Sequence, residues 1–372
     1  MINKYVFFNN NNKKQRGAAL ITVLIIVFLI TAIITNITVK NFRILKRLTN
    51  QKIYDISINS FSAAIGFGRA ALVTSGATSQ IDTLSDIWAQ PIPKTKIIDD
   101  VYMSGSIVDE QGKFNLNDLI SINGQVNSKV LNKFTNLLST LNISTAMASS
   151  IAYYIAAPQF EGSILIQYTT ASSPYLPAGK PFIDISELNL VKGMNPQWVV
   201  KLQQYVTAIP KDLTYLLPQK GSDSADAENN ELPNNLPPPG LGASSELPVN
   251  VNTASAEVIA AKAGLSLSVA QRIVTLRTSQ PFKTTQDILT FLTSNGVNLN
   301  NNNNNQNLDP NQSNQPSTPQ QQVDTSILTV SSSYFSIHAV INKGSYEFKR
   351  VALVYRANRG GLWPSIIWQH PE

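Results

Sequence analysis

The chain has 372 residues, a formal net charge of +6, no cysteine and two histidines. That length holds one large domain or two medium ones beside a membrane segment. The missing thiols exclude disulfides, thiolate zinc sites and cysteine nucleophiles, and His338 and His370 are too far apart in sequence for a zinc-binding HExxH helix.

From Ala18 to Val39 the sequence carries no charge and is largely apolar. At about 1.5 Å of rise per residue this run makes a helix of roughly 33 Å, which matches the ~30 Å hydrocarbon core of a bilayer. Ahead of it stand four cations and no acid (Lys4, Lys13, Lys14 and Arg16), the composition of a leader held in the cytoplasm. The small residue beside a cation, Gly17, precedes the apolar run instead of following it. Cleavage after Gly17 would leave the whole helix on a mature chain that starts at Ala18. A plain signal anchor, with Gly17 incidental, is the alternative reading of the same residues. Five more cations follow the run (Lys40, Arg43, Lys46, Arg47 and Lys52), and without these nine residues 53–372 carry a net −3. The soluble part is therefore not basic, and with cations on both sides of the run the positive-inside rule does not fix its orientation.

Past Val39 no proline occurs before Pro91, and Tyr54, Ile58, Phe61, Ile65 and Leu72 form a stripe in which Gly68 is the gap. The pattern predicts one long helix over 18–73, its second half burying the stripe against a sheet. The alternating segment from Ser104, with Gly105 and Gly112 as turn signals and Ile107, Phe114 and Leu116 as a buried face, predicts strands. Two further strand patterns flank Asn342-Lys343-Gly344 and predict a hairpin. These strand-rich zones are about two hundred residues apart. The predicted fold class is thus α+β, a long N-terminal helix packed on an antiparallel sheet into which a large, mostly α-helical domain is inserted. The boundaries expected are a leader at 1–17, the long helix at 18–75 with 18–39 spanning the membrane, a first β region at 76–120, the insert at 121–299 and a final β region at 323–372.

The insert carries a weak internal repeat. Phe114-Asn115-Leu116-Asn117 and Val249-Asn250-Val251-Asn252 each precede helical segments, and each is followed later by a Pro-Phe turn with acidic and apolar residues, at Pro181 and Pro281. The copies differ in length, so the repeat reads as shared turn logic and not as a solenoid. Residues 220–248 form a polar, Pro-rich linker and 300–322 an Asn/Gln-rich stretch, neither with enough apolar surface to order itself.

Residues 249–289 resemble a helix-hairpin-helix: Thr253 or Ser255 as cap, Glu257 in the first turn, Gly264 as the break, a second helix over 268–277, and Pro281-Phe282 closing the unit. DNA-binding hairpins offer a Gly-x-Gly turn to phosphate, whereas this turn reads Gly264-Leu265-Ser266 with only Lys262, Arg272, Arg277 and Lys283 nearby. The hairpin is read as a packing unit, with no nucleic-acid partner. No catalytic residue is assigned: the sequence holds no Gly-x-Ser-x-Gly elbow or phosphate loop, His338 falls in a strand pattern, and Asp184 with Glu187 after Pro-Phe is the ordinary start of a helix.

The Gly17/Ala18 arrangement resembles the prepilin signal of type IV pilins and type II secretion pseudopilins, in which a prepilin peptidase cuts after the glycine and the new N-terminus is methylated. Those families usually carry Glu at the fifth mature position, where this chain has Thr22. Together with SSPYLPAGKPFIDISELNLVKGM from Ser172 and VNVNTASAEVIAAKAG from Val249, the chain closely resembles the K-type minor pseudopilins of type II secretion systems (the general secretion pathway protein K family). The resemblance implies a subunit without catalytic activity at the tip of a short filament. It also implies the I- and J-type minor subunits and the major pseudopilin as partners, an inner-membrane anchor and a periplasmic C-terminal domain. Relatives can bind calcium through an acid-rich loop. Here the corresponding stretch from Ala152 has Glu161 as its sole acid, so neither a metal nor another cofactor is expected. A type IV minor pilin, a membrane-anchored DNA receptor and a signal-anchored enzyme are the rival readings.

Overall fold

The computed structural model describes residues 12–121, 123–156, 162–170, 174–210, 246–299, 323–357 and 363–371. Most of the leader, Glu161, nearly all of the linker and the whole Asn/Gln-rich stretch lie outside those residues. The contacts divide the chain into two units, residues 1–60 and 61–372.

The first unit is helical from Asn12, and the helix, α1 (Asn12–Thr78), continues into the second unit. It is uninterrupted because no proline or helix-breaking pair occurs in it, and it begins earlier and ends later than the stripe alone predicts. In the second unit Phe61, Ala64, Ile65 and Leu72 of α1 are buried with Ile107, Phe335, Ile337, Ala339, Ala352 and Val354. Tyr54, which extends the sequence stripe, is exposed. The gap in the stripe has a reason. A Cβ on Gly68 would lie 2.9 Å from Ile337, so glycine lets helix and sheet approach closely.

The sheet has five strands in the order β1 (Ile92–Ile98), β2 (Val101–Asp109), β7 (Tyr334–Lys343), β8 (Tyr346–Tyr355) and β9 (Ser365–Pro371), all antiparallel. The β7–β8 hairpin turns at Gly344, with φ +56°. Gly105 is not a turn. It sits within β2 opposite Ala339, and a Cβ there would lie under 3 Å from the His338 carbonyl oxygen. That contact is with backbone and cannot rotate away. Gly105→Ala is expected to cost about 3 kcal/mol, the upper end of overpacking, read as a lower urea midpoint of the full chain in detergent. Gly66→Ala, where nothing lies within 4 Å, is the neutral or stabilising control.

Between β2 and β7 the chain builds the insert. It contains β3 (Phe114–Asn115), α2 (Ser128–Thr140), α3 (Ala146–Ile155), α4 (Gly162–Thr169), α5 (Pro196–Leu202) and β4 (Val206–Thr207). A second set follows: β5 (Val249–Asn250), α6 (Ala256–Ala263), α7 (Leu267–Ser279), α8 (Thr285–Ser294) and β6 (Leu328–Thr329). The sequence repeat has a concrete geometry. β3 pairs in parallel with β4, and β5 with β6. In the first set the Asn117 side chain donates to the Phe182 carbonyl at 2.9 Å and accepts from its N–H at 2.8 Å. In the second, Asn252 does the same to Phe282 at 2.9 and 3.0 Å. Each asparagine thus imitates a strand partner for a Pro-Phe turn, leaving Phe182 and Phe282 to enter one shared apolar core with Phe114, Phe134, Val258 and Ile288.

Candidate functional site

Among the described residues α1 contains the one helix long and apolar enough to cross a membrane, with a mean hydropathy of 3.0 in its most apolar window. Gly17 and Ala18 are exposed on it, and nothing would meet a Cβ at Gly17 within 4 Å. The Thr22 hydroxyl donates to the Ala18 carbonyl at 2.9 Å, so it meets its hydrogen-bonding need inside the helix and adds no charge to the apolar run. Thr31, Thr35 and Thr38 are satisfied in the same way, each by the carbonyl four residues before it.

The hairpin unit forms as its residues direct. Ser255 caps α6, Gly264 ends it in the left-handed region, Ser266 caps α7, and Thr284 with Asp287 forms a reciprocal capping box at α8. Its cations, however, point inward. Arg277 donates to the Val251 and Ala254 carbonyls, and burial pulls its guanidinium down to about 10. Lys262 is fully buried. Its ammonium donates to the Leu247 carbonyl, lies 3.8 Å from Asp118 and 3.6 Å from Glu246, and faces the Phe114 ring. Burial lowers its pKa against the pull of those two acids. Lys133 extends the cluster, bonding Glu246 at 2.6 Å and Asp324 at 3.0 Å. Of the four cations near the hairpin, Arg272 and Lys283 are the exposed ones.

A second buried network joins insert and sheet. Arg356 grips both Asp82 oxygens at 2.6 and 2.7 Å and donates to the Ser332 carbonyl. Asp109, at the end of β2, accepts from Ser332, Thr253 and Asn250, and burial raises its pKa despite these donors. Sequence reasoning missed Asp82, Arg356, Glu246 and Asp324. Lys262 left a trace, a lone cation among the apolar residues of α6.

Where the insert meets the sheet there is a cleft of about 570 Å³. Asp184 and Glu187, read from the sequence as the start of a helix, form a capping box on the 3₁₀ turn Ile185–Leu190. His338 lies in β7, its Nε2 3.0 Å from the Ser336 hydroxyl, which also bonds Glu110. Burial pushes the Glu110 carboxyl up, but Lys113 and Ser336 outweigh it and hold the group below its ordinary value. His370 lies in β9, 3.2 Å from Asp184. Among the described residues no cluster of three His, Asp or Glu side chains forms a metal site.

Two family models, both described as type II secretion system (T2SS), protein K, match residues 112–211 and 249–310. The type II secretion system protein K of Pseudomonas aeruginosa is 27% identical over 224 residues, which are 58% of this chain and 56% of that relative, so the chain spans little more than half of the relative's length. The fold is similar to a chain in the crystal structure of the GspK–GspI–GspJ complex from the type 2 secretion system of enterotoxigenic Escherichia coli. The TM-score is 0.59 at 19% identity, over 88% of this chain and 99% of that one. That likeness shows an α+β pseudopilin fold. The family matches fall, in chain order, on the two asparagine-clamped sets of elements, and by them the insert is similar to protein K of type II secretion systems.

Proposed function

We propose that the chain is the subunit at the tip of a type II secretion pseudopilus, where it nucleates and caps the filament during export across the outer membrane and performs no catalysis. The observation that carries this reading is the insert: both of its halves match the K-type family, and it interrupts a helix-and-sheet unit of the pseudopilin kind. Gly17 is the residue after which prepilin peptidase cuts, and Ala18 is the methylated mature N-terminus. The anchor crosses the inner membrane once, with residues after the apolar run in the periplasm. Its filament partners are I- and J-type minor subunits and the major pseudopilin, in keeping with the similar chain's place in a GspK–GspI–GspJ complex. Thr22 suits a terminal position, since a fifth-position carboxylate without a neighbour's amine would cost several kcal/mol in the membrane. Nucleic-acid binding is disfavoured by the inward use of Lys262 and Arg277.

The test is the mass of the N-terminal peptide of the protein purified from its own membranes. A methylated peptide starting at Ala18, with I- and J-type subunits co-purifying, is expected. An intact leader in a host with active prepilin peptidase would overturn the filament reading and return the choice to an anchored receptor or enzyme.

A further inference from the structure

Both histidines of the chain line the cleft between insert and sheet. They lie in register across three strands, His338 opposite Val351 and Val351 opposite His370. His370 reaches across to the insert. Its Nδ1 lies 2.6 Å from the Pro371 carbonyl oxygen and its Nε2 lies 3.2 Å from an Asp184 oxygen, a distance for an ion pair although not aligned as a hydrogen bond. A neutral imidazole has one N–H for its two nitrogens, and a charged one has two. Two oxygens facing both nitrogens therefore suit only the protonated ring, and a neutral ring must turn one lone pair toward an oxygen. Trp368 stacks on the same ring at 4.6 Å, a further contact that favours a cation.

We infer that His370 is a proton-operated latch that ties β9 to the 3₁₀ turn Ile185–Leu190 when charged and frees the cleft when neutral. Asp184 is the counterpart on the insert, and its other oxygen accepts the Ser186 N–H at 2.8 Å, so the latch pulls on the turn itself. The remaining charged and titratable groups lining the cleft are Glu110, Lys113 and His338. With Asp184 and Glu110 ionised and Lys113 charged, the cleft without its histidines carries one net negative charge, which favours a proton on the ring. Closure therefore belongs to the charged ring, and raising the pH to remove its second proton releases it.

The test is hydrogen–deuterium exchange of the full chain in detergent at pH 5.5 and 8, corrected for intrinsic exchange and read on the peptides covering 184–190 and 365–371. Protection is expected to fall by roughly twofold to fivefold on raising the pH, the size that a partly exposed ion pair supplies. His370→Gln should be loose at both values and His370→Arg protected at both, while His338→Gln keeps the response of the parent. Equal protection at the two pH values in the parent chain, or a response that survives His370→Gln, would overturn the latch.

Discussion

Replacing Arg356 by methionine is expected to destabilise the protein by about 3–5 kcal/mol, the cost of leaving a buried carboxylate without its cation. The reason is the state in which it leaves Asp82. Both residues are almost fully buried, and burial pulls the guanidinium down only to about 10, so the arginine is charged at neutral pH and faces the carboxylate with both oxygens engaged. Without the cation, Asp82 keeps the N–H of Ser332 at 2.7 Å but loses both guanidinium bonds, and its charge remains in a low dielectric. The loss also reaches two contacts that a charge count ignores, the Leu72 carbonyl on α1 and the Phe335 ring beneath the guanidinium. The double variant Asp82→Asn/Arg356→Met should recover part of the loss, because a neutral amide needs no counter-ion. Urea denaturation of the parent chain, both single variants and the double variant in detergent makes the check, and strict additivity of the two single effects would refute the pairing.

The second large effect is expected at Lys262. Lys262→Met fills similar volume but removes the buried cation beside Asp118 and Glu246, whose side chains are 1% and 9% exposed, and the expected cost is again about 3–5 kcal/mol. Adding Glu246→Gln should return part of that cost. Lys133 limits the recovery, since it pairs with Glu246 at 2.6 Å and depends on that acid. The cluster joins Lys133 of α2 to Glu246 ahead of β5 and to Asp324 ahead of β6. Exchange at the Leu247 N–H, which donates to Asp118, should rise in Lys262→Met before the sheet is affected.

The parts of the fold that were legible in the sequence were those with a period. The long helix, the β7–β8 hairpin, the insertion and the hairpin unit of α6 and α7 each announce themselves through spacing or a turn residue. β1 falls inside the β region expected at 76–120 but could not be singled out as a strand for a physical reason: Pro93, Lys94 and Lys96 on an edge strand that is mostly exposed give no alternation to read. Gly105 was misread because a glycine admitted for close strand approach looks, in one dimension, like a glycine admitted for a turn. The polar networks were invisible since their members are brought together across gaps such as Asp82 to Arg356, and no local pattern marks them. The Asn-x-Asn repeats stand out as a pattern, while their work, holding the Pro-Phe turns by main-chain mimicry, is visible only in three dimensions.

The pairing of β2 with β7 brings Ser336 beside Glu110 although they are 226 residues apart in sequence. Closing so long a loop costs chain entropy that rises with the logarithm of its length, and pairing strands cannot repay it until many contacts form together. If the insert folds first, its two ends emerge side by side, held by Asp109, Asn250 and Ser332, and the excursion becomes a short staple in place of a long tether. The helix-and-sheet unit then has to wait for the domain it carries. A lesion deep in the insert should therefore slow completion of the sheet during synthesis, and the quality of the anchor unit becomes a report on the maturity of the insert.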